Sequence, residues 1–199
     1  MRSKIGVLGG TFNPVHIGHL GLAQDALEAF GLERVLFVPC ARPPHKSPDR
    51  LAPARHRLAM LKAALAPYPQ FRASAVEINR GGVSYSVDTL RALHRRRPDA
   101  EFYFIIGADT LRELHTWKDI RELVKLCTFV TTARPGVPPP AKMRLDPWLR
   151  HLLDHVFQGR RVDVSSSDIR ARVARGLPIG HLVPAAVDRY IERHKLYRA

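Results

Sequence analysis

The chain has 199 residues, of which 45% are hydrophobic and 25% are charged, and its formal net charge is +14 at pH 7. This length supports one full apolar core, so we expect a single globular domain over residues 1–199. No stretch reaches the roughly 20 apolar residues that span a bilayer, and a strand pattern begins the chain where a signal peptide would stand. These features predict a cytoplasmic protein with no membrane partner. Cys40 and Cys127 are too few for a disulfide framework, and we expect two reduced thiols.

The net charge of +14 has two interpretations. Lysine and arginine attract polyanions, but a composition rich in Arg, Ala and Pro also follows from GC-rich codons. The basic run at residues 95–97 ends a predicted helix, where cations favour the helix dipole. Aromatic residues do not alternate with basic ones, as they do in proteins that bind single strands. Charge alone does not decide between the two, and we expect no nucleic-acid partner.

Apolar periodicity predicts strands that alternate with helices along the chain. A short strand at residues 5–8 is ended by Gly9 and Gly10, and a helix follows whose apolar face is Ile17, Leu20, Ala23, Leu27 and Phe30. The later predictions, in chain order, are a strand at 35–38, a helix at 57–65, a strand at 71–78, a helix capped by Ser86, a strand at 102–106, helical turns over 109–123, a strand at 129–132, a proline-rich loop at 134–147, a last short strand at 162–164, and helices at 167–175 and 185–194.

This alternation predicts an α/β fold with a single Rossmann-like, doubly wound parallel sheet and helices on both faces. Residues from about 165 to 199 form a small helical C-terminal part. In such folds, ligands bind beyond the carboxyl ends of the strands. Polar residues follow most of the predicted strands, so we expect one site at that edge.

A glycine turn and two histidines form the first candidate site, at residues 9–19. Gly9 and Gly10 let an anion approach the backbone, and the first turn of a helix offers unpaired N–H groups. His16 and His19 are three residues apart and share one face of that helix. No carboxylate separates the histidines, which favours a phosphate over a metal as their ligand. The loop is neither a dinucleotide-binding nor a Walker loop.

A second block, Val-Ser-Ser-Ser-Asp-Ile-Arg at residues 164–170, combines hydroxyls with a predicted helix start. Ser165, Ser166 and the N–H groups of a helix that begins near Ser167 can bind phosphate, and the fork of Arg170 lies about one turn further on. The same pattern also fits a plain N-cap followed by a surface arginine. Taken together with the first motif, it favours a phosphate clamp.

Both blocks resemble known motifs. Residues 9–19 resemble, residue for residue, the nucleotidyltransferase signature Gly-Gly-Thr-Phe-Asn-Pro-x-His-x-Gly-His, and residues 164–170 resemble the superfamily's C-terminal motif Ile-Ser-Ser-Thr-x-Ile-Arg. Further matches at residues 43–46, 84–90, 106–109 with Trp117, and 182–197 narrow the resemblance to the bacterial nicotinate-nucleotide adenylyltransferases. His115-Thr116 departs from that family's usual Leu-Pro-x-Trp.

The resemblance implies adenylyl transfer from ATP to nicotinate mononucleotide, with pyrophosphate as second product and no covalent intermediate. His16, His19 and Arg170 are then the catalytic residues, and Mg²⁺ accompanies ATP without an all-protein metal site. The implied ATP contacts are Gly9, Gly10, Thr11, Phe12, His16, His19, Gly107, Asp109, Ser165, Ser166 and Arg170. The implied contacts of the nicotinate nucleotide are Lys46, Tyr85, Ser86, Trp117 and Arg134.

Two alternatives stay open. Within the superfamily, the acceptor could be another phosphate, such as phosphopantetheine or nicotinamide mononucleotide; Trp117 and the C-terminal block argue against the first. From another class, a basic nucleic-acid-binding protein could retain the motif, and it would bind DNA or RNA in a salt-dependent way without releasing pyrophosphate. The sequence leaves the oligomeric state open, a homo-oligomer included.

Overall fold

The structure, a computed structural model, describes residues 2–44, 51–111, 113–133, 155–160 and 162–198. Its strands are β1 (Lys4–Gly10), β2 (Arg34–Pro39), β3 (Phe71–Ala73), β4 (Glu101–Gly107), β5 (Thr128–Ala133) and β6 (Val156–Gln158). Its α-helices are α1 (Ile17–Phe30), α2 (Ala54–Leu65), α3 (Val76–Arg80), α4 (Ser86–Arg96), α5 (Ala108–Leu111), α6 (Ile120–Leu126), α7 (Ser166–Ala174) and α8 (Ala185–Arg193).

The six strands form one parallel sheet in the order β3-β2-β1-β4-β5-β6. The central strand β1 pairs with β2 on one side and with β4 on the other. Strands β2 and β3 therefore extend the sheet to one side of β1, and β4, β5 and β6 extend it to the other. In doubly wound sheets, ligands bind where the order of the strands reverses, outside their carboxyl ends, and here that point lies between β1 and β4. The predicted α/β fold is confirmed, but the prediction that Gly9 and Gly10 end the first strand is wrong: both belong to β1 and pair with Val38 and Pro39 of β2.

Apolar side chains cover both faces of the sheet. On one face, Leu20 of α1, Met60 of α2, Ile169 of α7 and Val187 of α8 are buried in one cluster. On the other face, the cluster includes Leu90 of α4, and Leu111 of α5 and Leu123 of α6 join it. The C-terminal helices therefore share a core with the sheet, although a single domain over residues 1–199 stays a prediction. None of the helices in the described parts of the chain is long and apolar enough to cross a bilayer.

Two later strand predictions are also wrong. The strand predicted at 71–78 ends at Ala73, and Val76–Arg80 is a helix. Tertiary contacts outweigh the alternating pattern here, because Val76 packs in the second apolar cluster and Glu77 accepts the Thr89 hydroxyl of α4. The last strand lies at Val156–Gln158, and residues 162–164 do not pair with the described strands. Phe157 of β6 packs edge-on against Phe30 of α1, at 5.6 Å between ring centroids.

The helix boundaries differ in smaller ways. Tyr85, and not Ser86, occupies the N-cap position of α4, and Ser86 is its first helical residue. The helical turns predicted over 109–123 are α5, a 3₁₀ turn at Leu114–Thr116, and α6. Helix α7 begins at Ser166, one residue before the prediction. The loop predicted at 134–147 lies outside the described residues.

Candidate active site

The two histidines lie in the first turn of α1. His16 is its N-cap residue, with φ −146° and ψ 172°, and His19 is the third helical residue. Their rings stack with centroids 3.7 Å apart, and the His16 backbone N–H donates to Nδ1 of His19 at 3.3 Å. Because Nδ1 accepts a hydrogen bond, a neutral His19 ring carries its proton on Nε2. His19 therefore presents a hydrogen-bond donor at the far end of its ring.

The C-terminal block is hydrogen-bonded to the loop between β1 and α1. Nη1 of Arg170 donates to the Asn13 carbonyl at 2.9 Å, and the Ser166 hydroxyl donates to the Pro14 carbonyl at 2.9 Å. The Tyr197 hydroxyl donates to Oδ1 of Asn13 at 2.9 Å. Burial raises the pKa of the Tyr197 phenol above its usual value, which keeps this donor protonated. The two sequence motifs thus meet through the carbonyl groups of one loop.

The C-terminal motif fits either a phosphate clamp or a plain N-cap followed by a surface arginine, and Ser165 and Arg170 behave differently in this respect. The Ser165 hydroxyl accepts the Asp168 backbone N–H at 3.0 Å, so Ser165 is the N-cap of α7, as the plain interpretation holds. Arg170 is not an ordinary surface arginine. It spans from α7 to the first motif, and its Nη2 donates to the Ser167 hydroxyl at 3.1 Å.

Residues of the first motif line two cavities, and the larger of these two, about 650 Å³ in volume, lies between the two motifs. Thr11, His16 and His19 line it on one side, and the serines 165–167 with Arg170 line it on the other. The cavity continues along α1 past Leu22 to the ion pair between Asp25 and Arg160, whose Nε lies 3.1 Å from Oδ1 of Asp25. The serine hydroxyls, the two imidazoles and the Arg170 guanidinium therefore line the space between the motifs, which is the chemistry that an oligophosphate requires.

A second cavity, of about 330 Å³, lies at the ends of β1, β2 and β4. Gly9, Gly10 and Gly107 form part of its wall, and Trp117 closes it on one side. The half-buried indole of Trp117 packs at 82° against the Phe104 ring, with centroids 5.9 Å apart. The remaining polar lining comes from Ser84, Ser86, Thr89, Thr110 and Glu77. One flat aromatic face among hydroxyls suits a planar, polar heterocycle.

The two cavities meet at two polar residues, because Thr11 and His19 line both. The edge of the fully buried Phe12 ring supports His19, at 5.0 Å between centroids. A group held at His19 is therefore reached from the cation-lined cavity on one side and from the aromatic one on the other.

Some predicted site residues lie elsewhere. The Phe12 side chain is fully buried, so only its backbone can face a ligand. The Tyr85 ring packs under Nζ of Lys118, 4.5 Å away, and is not part of the cavity lining. Gly9, Gly10 and Gly107, all predicted as ATP contacts, line the smaller cavity and not the larger one. Asp109 falls on α5, but its side chain is outside the description, and so are Lys46 and Arg134 altogether.

Sequence reasoning missed several residues at this edge. Asn13 was part of the first motif without a role, yet its side chain binds both the Tyr197 hydroxyl and the Ala52 N–H. Glu77 is buried, and its Oε1 accepts the Thr89 hydroxyl at 2.5 Å. The sequence pattern could have pointed to Arg57, because this arginine lies on the buried face of α2 with Met60, Leu61 and Ala64. A charged residue on an apolar helix face requires an explanation.

Fold and site together define a nucleotidyltransferase: residues 7–172 match the family model described as cytidylyltransferase-like. A protein of Syntrophotalea carbinolica named "Probable nicotinate-nucleotide adenylyltransferase" is 43% identical, covering 98% of each chain. A protein of the same name from Leifsonia xyli subsp. xyli is 42% identical over 100% of this chain and 96% of its own. The chain belongs to the nicotinate-nucleotide adenylyltransferase family.

A solved structure supports the fold. The nicotinic acid mononucleotide adenylyltransferase of Plasmodium falciparum, complexed with NaAD, superposes with a TM-score of 0.77 at 18% identity. The superposition covers 98% of this chain and 97% of that one. At this identity the likeness concerns the arrangement of the sheet and helices, and the roles of individual residues must come from this chain's own geometry.

Proposed function

We propose that the protein transfers the adenylyl group of ATP to nicotinate mononucleotide, giving nicotinate adenine dinucleotide and pyrophosphate, as a step of NAD biosynthesis. The observation that carries this proposal is the meeting of two unlike cavities at Thr11 and His19. The cation-lined cavity suits the triphosphate, and the cavity beside Trp117 suits the pyridine ring. The relatives that match nearly the whole chain are named nicotinate-nucleotide adenylyltransferases, which supports this choice of substrates.

The chemistry needs no general base. The second pKa of a phosphate monoester is about 6, so the attacking phosphate oxygen of the acceptor nucleotide is mostly ionised at pH 7. That oxygen forms a bond to the α-phosphorus of ATP while the bond to the bridging oxygen breaks, and pyrophosphate leaves with the electron pair. The protein's task is to align the two nucleotides and neutralise the charge on the transferred phosphate.

The geometry supports a division of roles. His19 and Thr11, at the junction, bind the α-phosphate, with Nε2–H of His19 as a donor. His16 and Arg170 face the β- and γ-phosphates from the two sides of the larger cavity. Trp117 stacks on the pyridine ring, and the start of α4 at Ser86 offers backbone N–H groups to the nicotinate carboxylate.

A divalent ion enters with ATP as part of that substrate. In the described residues, no group of three or more His, Cys, Asp or Glu side chains could hold a metal. Mg²⁺ fits this environment because it keeps several waters and binds mainly through substrate phosphates. We propose the Mg²⁺ complex of ATP as the reacting species. A cytoplasmic location and the absence of a nucleic-acid partner stay predictions from the sequence.

The test is a pyrophosphate-release assay with ATP and Mg²⁺ and three acceptors in parallel: nicotinate mononucleotide, its nicotinamide analogue and phosphopantetheine. We expect turnover with the first at a kcat/KM above that of the other two. Folded protein that gives no turnover with nicotinate mononucleotide contradicts the proposal. Tight, salt-dependent binding of DNA or RNA without pyrophosphate release would favour the nucleic-acid alternative instead.

A further inference from the structure

Arg57 of α2 is the largest fully buried side chain in the described part of the chain, with 1% of its surface exposed. Burying a guanidinium is unfavourable unless a partner compensates its charge. Among the described residues, no carboxylate lies within ion-pair distance of Arg57. The protein therefore keeps a buried positive charge that none of these side chains neutralises.

Backbone carbonyls hold this guanidinium from three segments. Nη1 donates to the Thr11 carbonyl at 2.8 Å, Nε to the Ala52 carbonyl at 2.9 Å, and Nη2 to the Ala41 carbonyl at 3.2 Å. Thr11 lies in the loop after β1, Ala41 lies just beyond β2, and Ala52 precedes α2. These carbonyls, and the Cys40 Sγ atom 3.8 Å from Nη1, accept hydrogen bonds from the fork but leave its net charge in place.

The bond to Thr11 also sets the direction of one peptide group. In a trans peptide, the N–H points opposite to the C=O, so the Phe12 N–H is directed away from Arg57. Phe12 has φ 46°, in the left-handed region, and such a conformation within a turn directs successive N–H groups toward an anion. A cation on the carbonyl side polarises the same peptide and makes its N–H a stronger donor.

We propose that Arg57 is a positioning residue for the phosphate that is transferred. It fixes the Thr11–Phe12 peptide from behind, at the junction of the two cavities, and its charge, which no described carboxylate offsets, is balanced when an oligophosphate occupies the larger cavity. The identity of that oligophosphate as ATP rests on the proposed function. The hydrogen bonds of the Arg57 fork and its positive charge make separate contributions to phosphate binding and transfer.

Two substitutions separate these contributions in the full-length protein. Arg57→Lys keeps a positive charge but cannot hold three carbonyls, and Arg57→Met removes the charge at similar length. We expect kcat with ATP and nicotinate mononucleotide to fall about a hundredfold in the second, the lower end of the cost of one lost preorganised donor, and by less in the first. The KM for nicotinate mononucleotide should change less than kcat, because the peptide that Arg57 fixes is directed at the phosphate that is transferred.

Arg172 supplies the matched control. Its Nε and Nη2 donate to the Pro178 carbonyl at 3.1 and 3.0 Å, and it lines neither cavity of the site. Arg172→Met also removes an arginine that donates to a backbone carbonyl, at a more exposed position, so we expect a somewhat lower Tm with kcat per folded molecule unchanged. A purely structural Arg57 would behave like Arg172.

Binding of inorganic triphosphate, measured by calorimetry on wild type and on each folded variant, tests Arg57 apart from turnover. We expect the Kd to rise at least about tenfold in Arg57→Met, and less in Arg57→Lys, because the charge behind the loop is lost only in the first. If the wild type binds triphosphate but does not adenylylate nicotinate mononucleotide, the proposed function fails while this comparison still stands. Wild-type kcat and wild-type triphosphate affinity in a folded Arg57→Met variant, or in Arg57→Lys should the first not fold, overturn the inference.

Discussion

At the level of single residues, the two histidines of the first motif are not equivalent. His16 is 7% exposed and lines only the larger cavity, whereas His19 lines both. The backbone of His16 and the edge of Phe12 hold the His19 ring from two directions. A donor that is locked before substrate arrives requires no reorganisation when charge develops on the phosphate. His19 is therefore the side chain on which we expect the chemical step to depend most.

His19→Ala should lower kcat by about 10²–10³-fold, the cost of one lost donor to a developing charge. The KM for nicotinate mononucleotide should change little, because the missing interaction belongs to the transition state. His94→Ala is the matched control: a ring nitrogen of His94 lies 2.8 Å from the Leu126 carbonyl, and the ring packs on Phe102, away from both cavities. There we expect a lower Tm with normal turnover per folded molecule. A His19→Ala enzyme that behaves like His94→Ala would assign His19 a structural role.

At the level of elements, helix α1 approaches the segment before α7 very closely. A Cβ at Gly18 would lie 2.9 Å from Cγ1 of Val164 and 3.1 Å from Nδ1 of His16. Val164 is β-branched and has little freedom to move aside. Gly18 therefore allows the two halves of the phosphate site to come together, and a glycine within a helix is here a packing requirement.

Gly18→Ala should destabilise the fold by about 1–3 kcal/mol through overpacking, and it should reduce kcat because the His16 ring and residue 164 must shift. Gly21→Ala, one turn along the same helix, is the matched control. Its Cβ would meet Cγ2 of Val162 at an ordinary 3.7 Å, so the helix gains up to about 1 kcal/mol in propensity. Thermal unfolding and kcat are measured on both variants. Equal Tm and kcat for the two variants would show that the close approach to Val164 is not what requires a glycine at position 18.

The elements also mark how far sequence reasoning reaches. The strand at β1, the helix start at His16 and the convergence of the two motifs could be predicted, because local periodicity and the parallel-sheet rule determine them. The exchange of strand for helix at 76–80 could not, because Val76 and Ile78 also fit a strand pattern. Tyr197 bonding Asn13 across the whole chain depends on tertiary packing, which periodicity does not encode.

At the level of the whole molecule, α8 closes the C-terminal part onto α2, the helix that also carries Arg57. Nδ1 of His56 on α2 lies 3.0 Å from the Tyr190 hydroxyl on α8, and the His194 ring is 5.2 Å away. Burial, followed by the nearby charges of Arg55 and His194, lowers the pKa of His56 below its usual 6.5. The packing of the two helices therefore favours a neutral His56.

This shift makes the stability of the fold depend on pH. Well above pH 6.5, His56 is neutral in both the folded and the unfolded chain and adds no pH dependence. As the pH falls below that value, the unfolded chain takes up a proton that the folded chain resists, so the free energy of unfolding decreases. We expect Tm measured from pH 7.5 down to 5.5 to fall less steeply in His56→Gln than in wild type, because glutamine does not titrate. His181→Gln, at an exposed position, should keep the wild-type slope. If the Tm of His56→Gln falls as steeply as that of wild type over this range, protonation of His56 does not contribute to the loss of stability at low pH.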